Sequence, residues 1–362
     1  MKKIVYFDHA AASVPSPETL QDFASLAGHF YANAEAVHQL AYRSREALKT
    51  AEKRVSAALF NRGDHPVIWG ESATELFRVL ASFPEFDTGC ASALEHPALL
   101  ENLKNFTAAD IAAVAPDGTF CSGPHSSRSY DLVCCHQVQS ELGLLADTEK
   151  FFAGVSPRCR MVDAVQAAGK MPLVRNADVW VISGVKFGSP GGAAMILAAD
   201  GRLTDKLLAH ARNCRQQSYA VSRVNVPMIL TMTGALEKAV AMMAENRDKV
   251  LQLNSEIRSG VRELGIVPTL PESVPVSPYI LNLLLPEQES AVVVRALGEM
   301  GIFTASGSAC SAETGRPSPA LTALGFRAEK AYRALRLSFG PGNSPEDAGI
   351  FLDGLKTVLK NY

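Results

Sequence analysis

Between residues 65 and 200, short unbroken apolar runs alternate with longer amphipathic stretches, and this alternation constrains the fold more than any other feature of the chain. Pro66-Val-Ile-Trp, Asp131-Leu-Val-Cys-Cys, Val179-Trp-Val-Ile and Ala193-Ala-Met-Ile-Leu are short and, after the leading Asp131 of the second, apolar, without the every-second-residue pattern of a half-exposed strand. Strands of that kind are covered on both faces. The pattern therefore predicts an α/β fold in which a mainly parallel sheet carries helices on both sides. Residues 17–60 read as helical, with Ser16-Pro-Glu-Thr as a start signal and apolar residues at helical spacing from Ser44 to Leu59. A long helix is expected at about 227–264, with Pro227 in its first turn. Beyond it, Tyr279-Ile-Leu-Asn-Leu-Leu-Leu, Gly301-Ile-Phe-Thr and Arg336-Leu-Ser-Phe, with helices at 289–300 and 345–360, predict a smaller α+β domain. The expected division is 12–255 for the large domain and 1–11 with 256–362 for the small one.

A net charge of −2 leaves no electrostatic footprint for nucleic acid or an anionic membrane. No apolar run approaches the roughly 20 residues that span a bilayer. Asp8 and His9 interrupt the first apolar stretch too early for a secretory signal, so a cytoplasmic enzyme is expected. The seven cysteines are irregularly scattered, with no CxxC and no zinc-type spacing, so neither a disulfide framework nor a structural metal is expected. Cys134 and Cys135 lie inside an apolar run and read as small core residues. Cys310 differs, because Ala305-Ser-Gly-Ser-Ala-Cys-Ser-Ala-Glu-Thr-Gly surrounds it with small, loop-forming residues. Such a setting suits an accessible, mobile thiol as well as an ordinary loop cysteine.

Three other segments could carry chemistry. Met161-Val-Asp-Ala-Val-Gln delivers Asp163 at a strand end, where ligands of open α/β sheets bind, although an acidic residue there can also simply cap a helix. The run from Val179 ends in Ser183 and Lys186 before a glycine-rich loop, and a lysine leaving a buried strand is costly unless it is engaged. A lysine and a carboxylate on neighbouring strand ends are what pyridoxal phosphate needs, one for a Schiff base and one for the pyridine nitrogen. Gly70-Glu-Ser-Ala-Thr-Glu at a strand-to-helix turn suits either a phosphate or an ordinary helix cap.

In this order the segments resemble the cysteine desulfurases of the class V aminotransferase family, nearly end to end. Tyr6-Phe-Asp-His-Ala-Ala-Ala is similar to the family's opening motif, and Asn33 through His38 to its Asn-x-x-x-x-His segment. Ser72-Ala-Thr-Glu resembles the phosphate turn, Leu94-Glu-His-Pro the ring-stacking motif, and Val162-Asp-Ala-Val-Gln-Ala-Ala-Gly-Lys the cofactor strand. Ser183-Gly-Val-Lys-Phe-Gly resembles the aldimine-lysine segment, Ser306-Gly-Ser-Ala-Cys the persulfide loop, and Arg336-Leu-Ser-Phe-Gly the substrate-arginine strand. The resemblance implies a fold-type I enzyme that takes sulfur from L-cysteine, with Lys186 joined to pyridoxal 5'-phosphate and Cys310 accepting the sulfur. It also implies that Asp163 pairs with the pyridinium, Gln166 with the ring hydroxyl, and that His96 stacks on the ring and is a candidate proton shuttle. Ala73, Thr74 and Ser183 would hold the phosphate, and Asn33 and Arg336 the substrate carboxylate. A homodimer and a protein or small-thiol sulfur acceptor complete the expectation.

The chain departs from the family pattern at four places. Val185 stands where a histidine usually precedes the lysine, and Gln139-Ser140 replaces a pair of asparagines, which puts the short Ser140 beside the cofactor. Arg223 replaces a threonine that reaches the partner subunit's phosphate. The chain stops at Tyr362 right after its expected last helix, which implies delivery of sulfur to an acceptor other than the usual iron–sulfur scaffold. The competing expectations are a selenocysteine lyase or another class V enzyme on the same scaffold, and a non-catalytic binding homologue.

Overall fold

Each apolar run becomes a strand whose alternate residues feed two separate cores. The computed structural model describes residues 3–121, 128–199, 201–216, 224–307 and 317–361. In chain order the strands are β1 (Val5–Tyr6), β2 (Val67–Gly70), β3 (Thr88–Ser92), β4 (Ala108–Ala112), β5 (Ser129–His136), β6 (Ser156–Asp163) and β7 (Val179–Ser183). They continue with β8 (Ala194–Ala198), β9 (Val267–Pro268), β10 (Ile280–Leu284), β11 (Ile302–Phe303), β12 (Ala305–Ser306) and β13 (Ala334–Ser338). The helices used below are α1 (Pro17–His29), α2 (Gln39–Phe60), α3 (Ala73–Ala81), α4 (Pro97–Asn102), α5 (Thr148–Gly154), α6 (Gly201–Gln216), α7 (Val226–Ala241), α8 (Met243–Glu263) and α9 (Ser290–Glu299).

Seven strands form the large sheet in the order β2-β8-β7-β6-β5-β3-β4. The pairings from β7 through β4 are parallel, while β8 is antiparallel to both β7 and β2. In β7, Val179 and Val181 join the core on one face, with Leu76, Leu80 and Leu207. Trp180 and Ile182 join the other face, with Val55, Leu59, Ile229 and Met232. Both faces are thus dry, which is why the run lacks polar alternation. The direction of pairing also brings the carboxyl ends of β2, β3, β5, β6 and β7 to one edge of the sheet.

The stretch expected as helical over 17–60 is two helices, separated by residues 30–38. His38 starts the second, its Nδ1 accepting the Ala41 N–H at 3.2 Å, and Arg45 Nη1 holds the intervening loop by donating to the Ala34 and Ala36 carbonyls. The single helix expected at 227–264 is likewise two, α7 and α8, bent by 70° at Met242. No proline or glycine marks that bend. It arises because α7 packs Ile229, Met232 and Leu236 under the large sheet, whereas α8 packs Val250, Leu253, Ile257 and Val261 against the smaller one. Residue 255, the expected domain boundary, falls inside α8. No single described helix is long and apolar enough to cross a membrane.

The smaller sheet is antiparallel, ordered β12-β13-β10-β9. The amino terminus reaches it through the β1–β11 pair and the Asp8–Ser338 bridge, and then crosses back over the edge of the large sheet. One turn at that edge has little tolerance. Gly169 has φ +73°, and an added Cβ would lie 2.9 Å from Ala239 Cβ and 3.2 Å from Phe187 Cβ. Gly169→Ala is expected to destabilise the protein by about 2–4 kcal/mol, from left-handed strain plus overpacking. A urea-unfolding midpoint unchanged by the substitution would show that the turn relaxes freely.

Candidate active site

The strand ends that share an edge surround a cavity of about 310 Å³. Lys186 enters it from the single 3-10 turn after β7, and Ser183 from the last position of that strand. Asp163 closes β6, and Gln166 follows in the next turn. His96 caps α4 after β3, Ala73 and Thr74 open α3 after β2, and Ser140 follows β5. Arg336 comes from β13 of the smaller sheet. Nine of the expected residues thus line one cavity: Lys186, Asp163, Gln166, His96, Ala73, Thr74, Ser183, Ser140 and Arg336. Asn33 is not among them; it lines a neighbouring cavity with Arg45, Glu52 and Trp69, and its Oδ1 accepts the Glu35 N–H at 3.1 Å. Cys310 and Arg223 lie outside the described residues.

The amino-terminal crossing segment holds the lysine. Lys186 Nζ donates to the Ala11 carbonyl at 2.6 Å, while Ser13 Oγ donates to the Lys186 carbonyl at 2.9 Å. Asp163 is 8% exposed, and one carboxylate oxygen accepts the Val165 N–H at 2.9 Å. Burial first, and then the nearby Glu95 charge, push its pKa up to about 7. His96 goes the other way: burial and the neighbouring Lys186 and Arg336 charges lower it to about 4. Its Nδ1 accepts the Ala98 N–H at 3.1 Å, so the neutral ring carries its proton on Nε2. The site therefore presents a neutral imidazole next to two cations.

Arg336, 2% exposed, is braced by Asp8, whose Oδ1 accepts from Nη2 at 2.7 Å, and by the Ser140 carbonyl, which accepts from Nη1 at 3.1 Å. Its Nε has no hydrogen-bond partner among the described residues. Gln166 donates from Nε2 to the Ala10 carbonyl, and its Oε1 accepts from the buried Lys170 at 3.1 Å. Burial and the Lys186 charge lower Lys170 to about 7. At α3, Ser72 Oγ caps the Glu75 N–H. Gln139 also lines the cavity, and its Oε1 braces the loop by accepting the Glu141 and Leu142 N–H groups.

Sequence reasoning passed over Asp8, Lys170, Glu95 and His136. The signal for His136 was present, since it is the polar residue closing the apolar strand Asp131-Leu-Val-Cys-Cys, as Asp163 and Ser183 close theirs. Asp8 had no local signal, because its partner lies 328 residues away.

Solved structures share this architecture. A NifS-like protein from Rickettsia africae superposes with a TM-score of 0.84 at 18% identity, covering 99% of this chain and 100% of its own. The apo structure of a cysteine desulfurase from Thermococcus onnurineus gives a TM-score of 0.79 at 16% identity, over 99% of this chain and 95% of its own. In sequence, the chain is 24% identical to cysteine desulfurase IscS of Vibrio cholerae, over 94% of this chain and 89% of that one. It is 23% identical to the IscS of Clostridium botulinum, over 99% and 95% respectively. Residues 5–351 match the aminotransferase class-V family, and with the strand-end cavity built as described, the chain belongs to that family.

Proposed function

We propose that the protein is a pyridoxal-phosphate-dependent cysteine desulfurase, converting L-cysteine to L-alanine and leaving the sulfur as a persulfide on Cys310. The observation that carries the reading is the convergence of Lys186, Asp163, His96 and Arg336 on one cavity at the carboxyl edge of the sheet. The full-length similarity to cysteine desulfurases supports it.

The donor set fits the cofactor. A carboxyl that burial drives toward its neutral form needs a cation beside it to stay ionised at neutral pH, and a protonated pyridine nitrogen is one. The α3 amino terminus, with Ala73 and Thr74, and the Ser183 hydroxyl suit a phosphate. Pyridoxal phosphate, when bound, supplies an electron sink for the substrate's carbon skeleton. Lys186 would anchor the cofactor and move the substrate Cα proton, Gln166 would face the ring hydroxyl, and His96 would stack on the ring as a neutral base. Arg336 would bind the substrate carboxylate from a side chain that Asp8 already orients. Asn33 is given no substrate contact, because it lines a different cavity.

Cys310 would attack the sulfur of bound cysteine. An S–S bond forms, the substrate C–S bond breaks, and its electron pair is taken up by the carbon skeleton, which leaves as alanine. The segment leading to Cys310 starts at β12, whose Ala305 pairs with Arg336 itself, so the root of that segment adjoins the substrate arginine. A homodimer belongs to the same proposal, with Arg223 directed to the partner subunit's cofactor and a small thiol or a protein as acceptor. The exposed apolar residues Tyr31, Val37, Leu40 and Tyr42 beside the α1–α2 connection support an interface there.

Supplying L-cysteine and measuring alanine and protein-bound persulfide together tests the reading. The parent should form both, and Cys310→Ser should lose the persulfide and at least about a hundredfold of its turnover. Alanine formation by Cys310→Ser at the parental rate would favour a lyase without a persulfide step. A parent protein that never takes up pyridoxal phosphate would overturn the enzymatic reading altogether.

A further inference from the structure

At the wall of the cavity lies a buried pair that the proposed chemistry does not use. Glu95 is 4% exposed and immediately precedes His96, while His136 is 2% exposed and closes β5. Glu95 Oε1 accepts the His136 backbone N–H at 2.9 Å and stands 2.6 Å from its Nδ1. The remaining polar atoms of the pair, Glu95 Oε2 and His136 Nε2, have no hydrogen-bond partner among the described residues. Burying a carboxylate and an imidazole with half their polar atoms unmatched is costly, and such groups are rare in native interiors unless they serve a purpose.

Position suggests the purpose. His136 lines the same cavity as Asp163, and the two are direct partners in the β5–β6 ladder. In-register residues on neighbouring strands, about 4.8 Å apart, point to the same side of a sheet. His136 thus stands beside Asp163 and, through Nδ1, holds the buried Glu95 carboxylate whose charge acts on Asp163. Two buried carboxylates in one site cannot both ionise cheaply unless something between them carries compensating charge or hydrogen bonds. We propose that His136, anchored by Glu95, is a positioning residue that offsets the Glu95 charge and keeps Asp163 an anion for the cofactor's ring nitrogen. The groups acting on Asp163 are Glu95, which favours its neutral form, and His136 and Lys186, which favour the anion. The buried Cys134 and Cys135 thiols also lie within electrostatic range. The pair has a second consequence. Because Glu95 adjoins His96, the same hydrogen bond ties the ring-stacking histidine to the end of β5.

The inference rests on the proposed cofactor role of Asp163, and its test is binding, not turnover. Pyridoxal phosphate affinity is titrated against pH for the parent, His136→Gln, Glu95→Gln and the double variant, with circular dichroism of each cofactor-free protein as the folding control. His136→Gln leaves Glu95 uncompensated. The pH at which tight binding sets in should rise by about one unit, and affinity at pH 7 should fall about tenfold. Glu95→Gln removes the competing charge and should move the onset down instead. The double variant should return it close to the parent. A merely structural pair predicts the reverse order, with the double variant the weakest binder. That order, or an onset that none of the variants moves, overturns the inference while leaving the cofactor assignment standing. If His136→Gln fails to fold, the sign of the Glu95→Gln shift decides. A parent that does not bind pyridoxal phosphate overturns both.

Discussion

Asp163→Asn is expected to make the cofactor-free protein more stable above pH 7 while removing at least about a hundredfold of its turnover. In the folded chain the carboxyl of Asp163 is pushed up to about 7, chiefly by burial, against roughly 3.9 in an unfolded chain. The folded state therefore holds that proton more tightly. Its stabilising effect is complete below about pH 4 and is lost progressively as pH rises through 7, where the folded protein must bury an anion. An asparagine never ionises and escapes this loss. The difference between variant and parent should open between pH 4 and 7 and level off above that, reaching on the order of 2–4 kcal/mol. Thermal unfolding of the cofactor-free proteins across that range checks it. A gap that is constant with pH would mean that burial leaves the proton affinity of Asp163 unchanged on folding. The same change costs function, because a neutral amide cannot hold a protonated ring nitrogen and the electron sink weakens. Stability and catalysis thus pull in opposite directions at one side chain.

Lys186→Ala should abolish covalent retention of pyridoxal phosphate and lower turnover by about 10²–10⁴ through loss of the proton transfer alone. Borohydride reduction followed by peptide mapping should place the pyridoxyl group of the parent on Lys186. The alternative is specific, because Lys170 is buried and its pKa is lowered to about 7, leaving a neutral amine available at working pH. The two differ in placement. Lys186 lines the cavity that holds Asp163 and His96 as well as a second one that it shares with Lys170, whereas Lys170 is absent from the first and has its Nζ bonded to Gln166 and 5.7 Å from the Tyr279 ring centroid. Pyridoxyl label on Lys170, or retention of label by Lys186→Ala, would reverse the assignment.

Several features were legible in the residues alone, for physical reasons that are local. A strand covered on both faces is apolar along nearly its whole length, so β7 and β8 announce themselves, and the polar residues that end β6 and β7 mark the sheet edge where ligands bind. Asp163, Ser183 and Lys186 were found in that way, and the order of the segments pointed to the family. The helix boundaries at residues 30–38 and at Met242 were not legible. The first depends on Arg45 reaching back to two carbonyls, and the second on α7 and α8 serving different sheets. Composition alone does not encode either.

The same division runs through the site. Sequence supplied the chemistry of single residues, but their partners come from elements far apart in the chain, and only tertiary packing decides which ones meet. It placed Asp8 against Arg336, drew the Ala11 carbonyl over Lys186, kept Asn33 out of the cavity and set His136, with Glu95 bonded to it, beside Asp163. Proton affinities follow from that packing too. Asp163 and His96 depart from their ordinary values through burial and through charges brought in by other strands, neither of which a linear pattern contains.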